Sequence, residues 1–305
     1  MFMLKNRFFI IILAALFLSA CGMRQDAKPL APGIVKDIDP NDGGDDDELL
    51  DDDDDDYDRD GRNGSNGKAK QGNDGETTTG ALEIPAPISG TAEQILKRKA
   101  YTVSYNKGTR LPNWVAWHLT GSHASGTVKR PKNAFHEDEQ VPAPRATLND
   151  YYNSRYDRGH MCPAGDNKWD ETAMYESFLL TNICPQNHGL NDGDWKELEQ
   201  LCRKWAERYG DIYIVCGPVF EDTKHKTIGK NKVIVPEAFF KVVLCTTGTP
   251  KAIGFIYKNK DGDRSMASYT TTVDYVESLT GIDFFPALPD DIENKIEAAC
   301  NLKDW

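Results

Sequence analysis

The fold is decided by the stretch Tyr156-Asp157-Arg158-Gly159-His160-Met161-Cys162-Pro163, followed further along the chain by Asn191-Asp192-Gly193-Asp194-Trp195-Lys196-Glu197-Leu198-Glu199. The first segment offers a histidine base and an arginine cation. The second segment offers neutral and anionic oxygens of the kind that a hard divalent metal accepts. A base that deprotonates water, a metal and a cation facing the phosphate are together suited to cutting a phosphodiester.

Further motifs surround these two segments in a fixed order. They are Tyr105-Asn106, Pro112-Asn113-Trp114-Val115-Ala116-Trp117, Asn182, Pro185-Gln186-Asn187, Gly217-Pro218, Val235-Pro236, Phe239-Phe240-Lys241 and Thr280-Gly281-Ile282-Asp283-Phe284-Phe285. With this series, which runs over residues 97–290, the chain resembles the DNA/RNA non-specific endonucleases. Their ββα-metal active site is built around an Asp-Arg-Gly-His signature.

The resemblance implies a role for each matching position. His160 would be the general base, and Asn191 the one protein side chain that directly holds Mg²⁺, with Mn²⁺ as a substitute ion. Glu199 would steady a metal-bound water. Arg158 and Arg130 would face the phosphate. Arg155 is expected to bind the DNA or RNA substrate for a different reason: it forms a local basic patch with Arg158.

The same residues also have readings that do not depend on the family. A neutral imidazole with a pKa near working pH suits a general base, and Arg158 beside His160 disfavours its protonated form. Asn191 alone is most simply a helix N-cap, because apolar residues follow it at helical spacing. Glu199 lies about two helical turns, roughly 12 Å, beyond Asn191, so it would reach the metal only through water.

Six cysteines follow Cys21: they stand at positions 162, 184, 202, 216, 245 and 300. In an exported protein this even number allows up to three disulfides with unresolved connectivity, and buried thiols are the alternative. His160, Cys162, Cys184 and His188 could instead supply four zinc ligands. An oxidising compartment disfavours such a thiolate site, and it would leave the Asn191 segment without a role.

The N-terminus resembles a bacterial lipoprotein signal. Lys5 and Arg7 precede an apolar run, 8–18, that is too short to span a membrane, and Leu18-Ser19-Ala20 leads into Cys21. Cleavage before Cys21 and its lipidation would anchor the mature protein to a membrane. We therefore expect a cell-envelope location on a bacterial membrane, outer-membrane bound and either periplasmic or surface-exposed.

The charge of the chain is concentrated in one segment. The whole chain carries −12, residues 22–80 carry −11 and residues 1–21 carry +2, which leaves −3 for residues 81–305. Residues 22–80 have few apolar residues and cannot offset chain entropy by burial. This predicts a signal peptide at 1–20, an acidic disordered tether at 21–95 and an endonuclease domain at 96–305, which attracts nucleic acid through local basic patches.

The tether contains a stretch, 56–67, that partly fits a calcium loop. Oxygen-bearing residues alternate and Gly61 is sixth, but Gly67 stands where a bidentate glutamate is needed. A hydrated acidic spacer is the favoured interpretation. The alternative function for the whole protein is a zinc-binding or acidic-tract surface adhesion lipoprotein that uses the fold only as a scaffold.

Hydrophobic patterns predict an α+β domain with a mainly antiparallel central sheet flanked by helices. Strands are expected at 101–105, 114–119, 212–219, 233–235, 239–244 and 253–257. Helices are expected at 169–180, 194–209, 272–279 and 289–300. The combined prediction is a magnesium-dependent endonuclease that cuts DNA and RNA with little sequence preference. Its oligomeric state is left open, and a homodimer is among the options.

Overall fold

The computed structural model describes residues 81–305 apart from residues 222, 263 and 264. The predicted signal peptide, Cys21, the acidic run and the stretch 56–67 lie outside the described residues. Among the helices that the structure describes, none is both long and apolar enough to cross a membrane.

The strands are short at the edges of the fold and long at its centre. In chain order they are β1 (Gln94–Lys97), β2 (Thr102–Asn106), β3 (Leu111–Thr120), β4 (Asp157–His160), β5 (Ile183–Gln186), β6 (Asp211–Val219), β7 (Thr227–Ile228), β8 (Val233–Ile234), β9 (Ala238–Cys245), β10 (Lys251–Lys258) and β11 (Thr270–Thr271). In the described part of the chain, seven of them form one antiparallel sheet in the order β1-β2-β3-β6-β9-β10-β11. Separate two-stranded ribbons join β4 to β5 and β7 to β8.

The helices are α1 (Gly121–Ala124), α2 (Leu148–Tyr151), α3 (Glu171–Ser177), α4 (Lys196–Tyr209), α5 (Val273–Thr280) and α6 (Asp290–Glu297). Local chemistry sets their ends. Asp170 caps α3 by accepting from the backbone N–H groups of Thr172 and Ala173, and Thr272 caps α5 by accepting from that of Tyr275. At the other end of α5, Gly281 adopts the left-handed conformation with φ +70° that ends many helices.

The large sheet separates two hydrophobic cores because successive residues of a strand face opposite sides. Phe239 and Val243 of β9 belong to the core that contains Leu198 of α4. Phe240 of β9 belongs to the other core, which contains Val276 of α5. The sheet is therefore covered on one face by α4 and the β4–β5 ribbon, and on the other by α5 and α6.

The predicted α+β architecture is confirmed. The long strands β3, β6, β9 and β10 and the helices α4 and α5 lie where the hydrophobic patterns place them. The helix predicted at 169–180 is shorter, because Asp170 caps α3 at its start and residues 180–182 form a separate 3-10 turn. Strand β1 was not predicted. Before it, Leu82, Ile84 and Ile88 already pack against the α5 side of the core.

Candidate active site

The Asp-Arg-Gly-His segment is strand β4, and its pairing with β5 fixes the site. Asp157 lies opposite Gln186, and His160 lies opposite Ile183. Gly159 is required at its position, because a Cβ there would lie 2.0 Å from the Oε1 atom of Gln186. The small residue leaves room for the buried Gln186 side chain to pack against β4.

The imidazole of His160 packs against two aromatic rings. Its ring centre lies 5.3 Å from that of Phe135 and 4.9 Å from that of Phe178, in the second case edge to face. The Nε2 atom is buried and has no hydrogen-bond partner among the described residues. One nitrogen of the ring is therefore left without a protein partner.

Two arginines lie against the same Phe135 ring that contacts His160. The guanidinium of Arg158 lies 4.5 Å from the Phe135 ring centre, and that of Arg130 lies 5.2 Å from it. Burial, together with the positive charges of Arg130 and Arg158, lowers the pKa of His160 from 6.5 to about 3. These effects favour the neutral imidazole and place its pKa in the protein alone far below the working pH expected from the sequence.

Asn191 lies in the π-helical turn Leu190–Trp195, which leads into α4, and not at a helix N-cap as its spacing predicted. The capping interaction belongs to Asn187, whose side-chain oxygen accepts from the backbone N–H of Leu190 at 3.0 Å. The Nδ2 atom of Asn191 instead donates to the Oδ2 atom of Asp157 at 3.0 Å. This bond orients the Asn191 amide and joins the turn to β4.

The same Asp157 carboxylate holds His188, whose Nδ1 atom lies 3.0 Å from its Oδ2 atom. This hydrogen bond and the negative charge of Asp157 raise the pKa of His188 above its usual value of 6.5. His188 is two-thirds exposed. This contact could not be predicted from the sequence, because the two residues are far apart along the chain.

Glu199 lies one turn into α4 and is half-buried. Burial raises the pKa of its carboxyl group to about 7, although Lys241 and Arg203 act in the opposite direction. Arg203 in turn donates to Asp166 at 3.1 Å, and the indole of Trp117 donates to the same carboxylate at 3.0 Å. A buried network of charges thus surrounds Glu199.

Lys241 belongs to this network, but from the sequence it is identified only as part of the motif Phe239-Phe240-Lys241, with no role assigned to it. It is fully buried on the α4 side of β9, and its Nζ atom has no hydrogen-bond partner within the described ranges. Burial lowers its pKa, but the acidic groups around it, Cys216 and Glu199 foremost, outweigh that effect and raise it. A lysine at an inward position of an otherwise apolar strand is the signal that could have identified it.

Arg155 differs from the other two predicted arginines. It is exposed in the turn before β4 and has a positive φ of 67°. Among the described residues, the charges that shift the pKa of His160 are those of Arg130 and Arg158. The geometry therefore groups His160 with these two arginines and with the rings of Phe135 and Phe178.

The zinc alternative is not formed. His188 pairs instead with Asp157. In residues 81–305, apart from residues 222, 263 and 264, one cluster of three or more His, Cys, Asp or Glu side chains is close enough to hold a metal, and it contains none of His160, Cys162, Cys184 or His188. The cysteines at 162, 184, 202, 216 and 245 are buried free thiols, and Cys300 is an exposed one. Free thiols are therefore present in place of the disulfides that the even cysteine count allowed.

Comparisons with known proteins agree on one family. The family model for DNA/RNA non-specific endonucleases matches residues 79–291. The chain is 35% identical over 237 residues to the mitochondrial nuclease EXOG of Xenopus laevis, covering 72% of this chain and 65% of that protein. It is 36% identical over 215 residues to nuclease C1 of Cunninghamella echinulata var. echinulata, covering 65% of this chain and 85% of that protein.

A solved structure shows the same fold. The EndoG/EndoGI complex superposes with a TM-score of 0.62 at 28% identity, covering 69% of this chain and 90% of that chain. Structure and sequence comparisons therefore point to the same type of nuclease.

The comparisons contradict the predicted location on a bacterial cell envelope. Relatives from Xenopus laevis, Homo sapiens, Bos taurus and Saccharomyces cerevisiae are named mitochondrial nucleases. The physical reason for the error is that a basic, apolar N-terminal run is common to several targeting signals, and a cysteine after small residues does not identify one of them. The lipid anchor at Cys21 has no support from these relatives.

The chain spans slightly less than two thirds of several of these relatives, with 65% of the Xenopus laevis protein and 62% of the Mus musculus one covered. The matched residues nevertheless include the whole β4–β5 ribbon, the turn 190–195 and α4. The chain belongs to the DNA/RNA non-specific endonuclease family.

Proposed function

We propose that this protein is a metal-dependent endonuclease that hydrolyses phosphodiester bonds of DNA and RNA with little sequence preference. The observation that carries the proposal is the unpartnered, buried Nε2 atom of His160, flanked by Arg130 and Arg158. A neutral imidazole nitrogen can take a proton, and two guanidinium groups can face the phosphate.

In this proposal His160 removes a proton from the attacking water. The aromatic rings of Phe135 and Phe178 hold the imidazole by packing, and the Trp195 indole donates to the His160 backbone carbonyl at 3.1 Å. The strongly lowered pKa belongs to the protein without substrate. A bound phosphate would offset the charges of Arg130 and Arg158, and the basicity of His160 would rise when substrate is in place.

Arg130 and Arg158 bind the phosphate in this proposal, and Arg155 contacts the substrate backbone further out. Contacts to phosphate position a nucleic acid without reading its bases. Arginines that face the backbone therefore support low sequence preference and activity on both DNA and RNA.

The residues around Asn191 fit a hydrated magnesium ion. Mg²⁺ usually keeps several of its waters and takes few protein oxygens. The hydrogen bond from Nδ2 to Asp157 leaves the Asn191 amide oxygen as the end that can face a cation, and a supporting carboxylate of this kind is typical of metal ligands. When bound, Mg²⁺ or Mn²⁺ would supply positive charge to the phosphate and leaving oxygen.

Glu199 is proposed to steady a water at this site. Its carboxyl is half-buried, and the surrounding Lys241, Arg203 and Asp166 couple its charge to the interior of the fold. In the same proposal residues 96–305 form the nuclease domain and 21–95 an acidic linker. The packing of Leu82, Ile84 and Ile88 on the core extends the folded part towards residue 81.

The test uses the full chain with supercoiled plasmid and with a structured RNA, each with Mg²⁺ and with chelator. Nicking and linearisation of plasmid, cleavage of RNA and loss of both in chelator are expected. Absence of cleavage by the folded protein under all metal conditions would reject the proposal. Cleavage that persists in chelator would reject its metal dependence.

A further inference from the structure

On the opposite face of the sheet from His160, three carboxylates converge between α5 and α6. They belong to Asp274 and Glu277 of α5 and to Glu297 at the end of α6. One oxygen from each lies within 4.8 Å of the others. In this respect the cluster is unique among the described residues, and the nuclease proposal makes no use of it.

Glu297 sets this cluster apart from an ordinary acidic surface. It exposes only 5% of its surface, and its Oε1 atom is buried with no hydrogen-bond partner in the part of the chain that the structure describes. A buried, unpartnered carboxylate oxygen is costly unless something compensates it. The Oε1 atom of the neighbouring Glu293 is also buried without a partner.

The charges around Glu297 all have the same sign. Burial and the nearby carboxylates of Glu277, Glu293, Asp274 and Asp283 raise the pKa of Glu297 to about 9. The Oε1 atom of Glu277 is fixed by a hydrogen bond of 2.8 Å from the backbone N–H of Phe284. The cluster is therefore a preformed set of oxygens that needs either a proton or a cation to become stable.

We propose that Asp274, Glu277 and Glu297 form a divalent-cation site that takes Ca²⁺ and clamps α6 onto α5. All three ligands are hard oxygens, and Ca²⁺ accepts mixtures of carboxylates and waters in irregular geometry, whereas Mg²⁺ demands near-octahedral geometry. One buried and two more accessible carboxylates leave room for water in the remaining positions.

The site is independent of the nuclease centre because the sheet lies between them. Val276 of α5 and Ile296 of α6 pack on the face of the sheet opposite α4. The chain after α6 continues to Trp305, which packs on Trp205 of α4 at 4.6 Å between ring centres. A cation at the cluster would therefore stabilise the packing of α6 on α5, the point from which the chain returns to α4.

The test measures Ca²⁺ uptake by the full chain, freed of metal with chelator, using calorimetric titration and thermal unfolding with CaCl₂ as the only divalent salt. For a Kd on the order of 10⁻⁴ M, about 10 mM Ca²⁺ should raise Tm by roughly 5–10 °C. Glu297→Gln should lose this increment and, in chelator, melt at a higher temperature than the wild type, because glutamine removes the cost of keeping this buried carboxyl either charged or protonated.

Asp291→Asn is the matched control. It removes the same charge from an exposed position of α6 outside the cluster, and it should keep the full Ca²⁺ response. Asp274→Asn, at an exposed position, tests the site should Glu297→Gln fail to fold, and it should weaken Ca²⁺ binding about tenfold. Asn191→Ala should keep the response, which separates this site from the proposed magnesium site.

Three results would overturn the proposal. The first is a wild type whose Tm and heat of titration do not respond to Ca²⁺, which would assign the buried charge to a proton. The second is an equal Ca²⁺ response in the wild type and Asp274→Asn. The third is loss of the response in Asn191→Ala. None of these outcomes depends on whether the protein cleaves nucleic acid.

Discussion

The ammonium group of Lys241 lies 4.3 Å from the centre of the Trp195 ring, directly beneath the start of α4. Trp195 also donates its indole N–H to the backbone carbonyl of His160. One buried cation is thus linked through a single aromatic side chain to the strand that carries the proposed base. This relationship makes Lys241 a structural support of the site, although it lies in the core of the sheet.

Replacing Lys241 by methionine should destabilise the protein by about 3 kcal/mol or more at pH 8, because Glu199 and Asp166 lose a buried compensating charge. Urea unfolding followed by tryptophan fluorescence measures the change. The double variant Lys241→Met/Glu199→Gln should regain part of the loss. If the two single effects simply add, the proposed coupling between Lys241 and Glu199 is wrong.

His160→Ala should reduce plasmid cleavage by on the order of 100-fold or more while the protein stays folded. The matched control is His118→Ala. His118 stacks on Tyr213 and pairs with Asp211, away from the residues of the proposed centre, so cleavage should continue there. Cleavage rates and circular dichroism spectra are compared for both. Near-normal cleavage by folded His160→Ala would contradict the assignment of the base.

Asn191→Ala should raise the Mg²⁺ concentration needed for half-maximal cleavage and lower the maximal rate. Asp157→Ala removes the carboxylate that orients Asn191 and that also pairs with His188, so the same two parameters should change in the same direction by roughly 10–100-fold. Titration of the cleavage rate with Mg²⁺ gives both values. An unchanged Mg²⁺ requirement in Asn191→Ala would exclude its role as the ligand.

The titration of His160 provides a pH test in the metal-free protein. Its pKa of about 3 in the folded state lies below the value of 6.5 in the unfolded state, so between pH 3 and pH 6.5 the unfolded state binds more protons. The contribution of His160 to stability is therefore present above pH 6.5 and lost as the pH falls towards 3. Glu199 contributes with the opposite sign, because its pKa of about 7 in the folded state exceeds its value of 4.5 in the unfolded state. Its contribution to stability therefore falls as the pH rises from 4.5 to 7.

Nuclear magnetic resonance of the histidine ring protons can check this directly. Between pH 5 and 8 the His160 signal should not titrate, whereas that of His188 should titrate with a midpoint above 6.5, because Asp157 favours its charged form. The signal of His160 is assigned from its disappearance in His160→Gln. A His160 midpoint near 6.5 would show that neither burial nor the charges of Arg130 and Arg158 lower the pKa of the ring.

The sequence allowed the main elements to be predicted because their signals are local. The inward pattern of β9 and the apolar spacing of α4 each fix one element without reference to the rest of the chain. The short strands β1, β4 and β5 carry too few residues for a hydrophobic pattern. Their pairing depends on distant partners, as with Asp157 and Gln186.

For the site, the motif predicted which residues matter but not how they are held. The signature identified His160 and Asn191, yet the bond between Asn191 and Asp157 required the fold to bring the turn beside β4. The strongly lowered pKa of His160 also depends on the charge of Arg130, which lies in a loop 30 residues earlier in the chain. Burial and long-range charge cannot be read from sequence spacing.

Because successive side chains of β9 face opposite sides of the sheet, substitutions on the two sides affect different cores. Phe240 belongs to the core beneath α5 and α6, and Lys241, the next residue, to the buried charges beneath α4. Side chains on one face share few neighbours with those on the other, so the free-energy effects of substitutions made on both faces should be additive. The acidic cluster and the nuclease centre are thereby open to separate adaptation within a single folded unit.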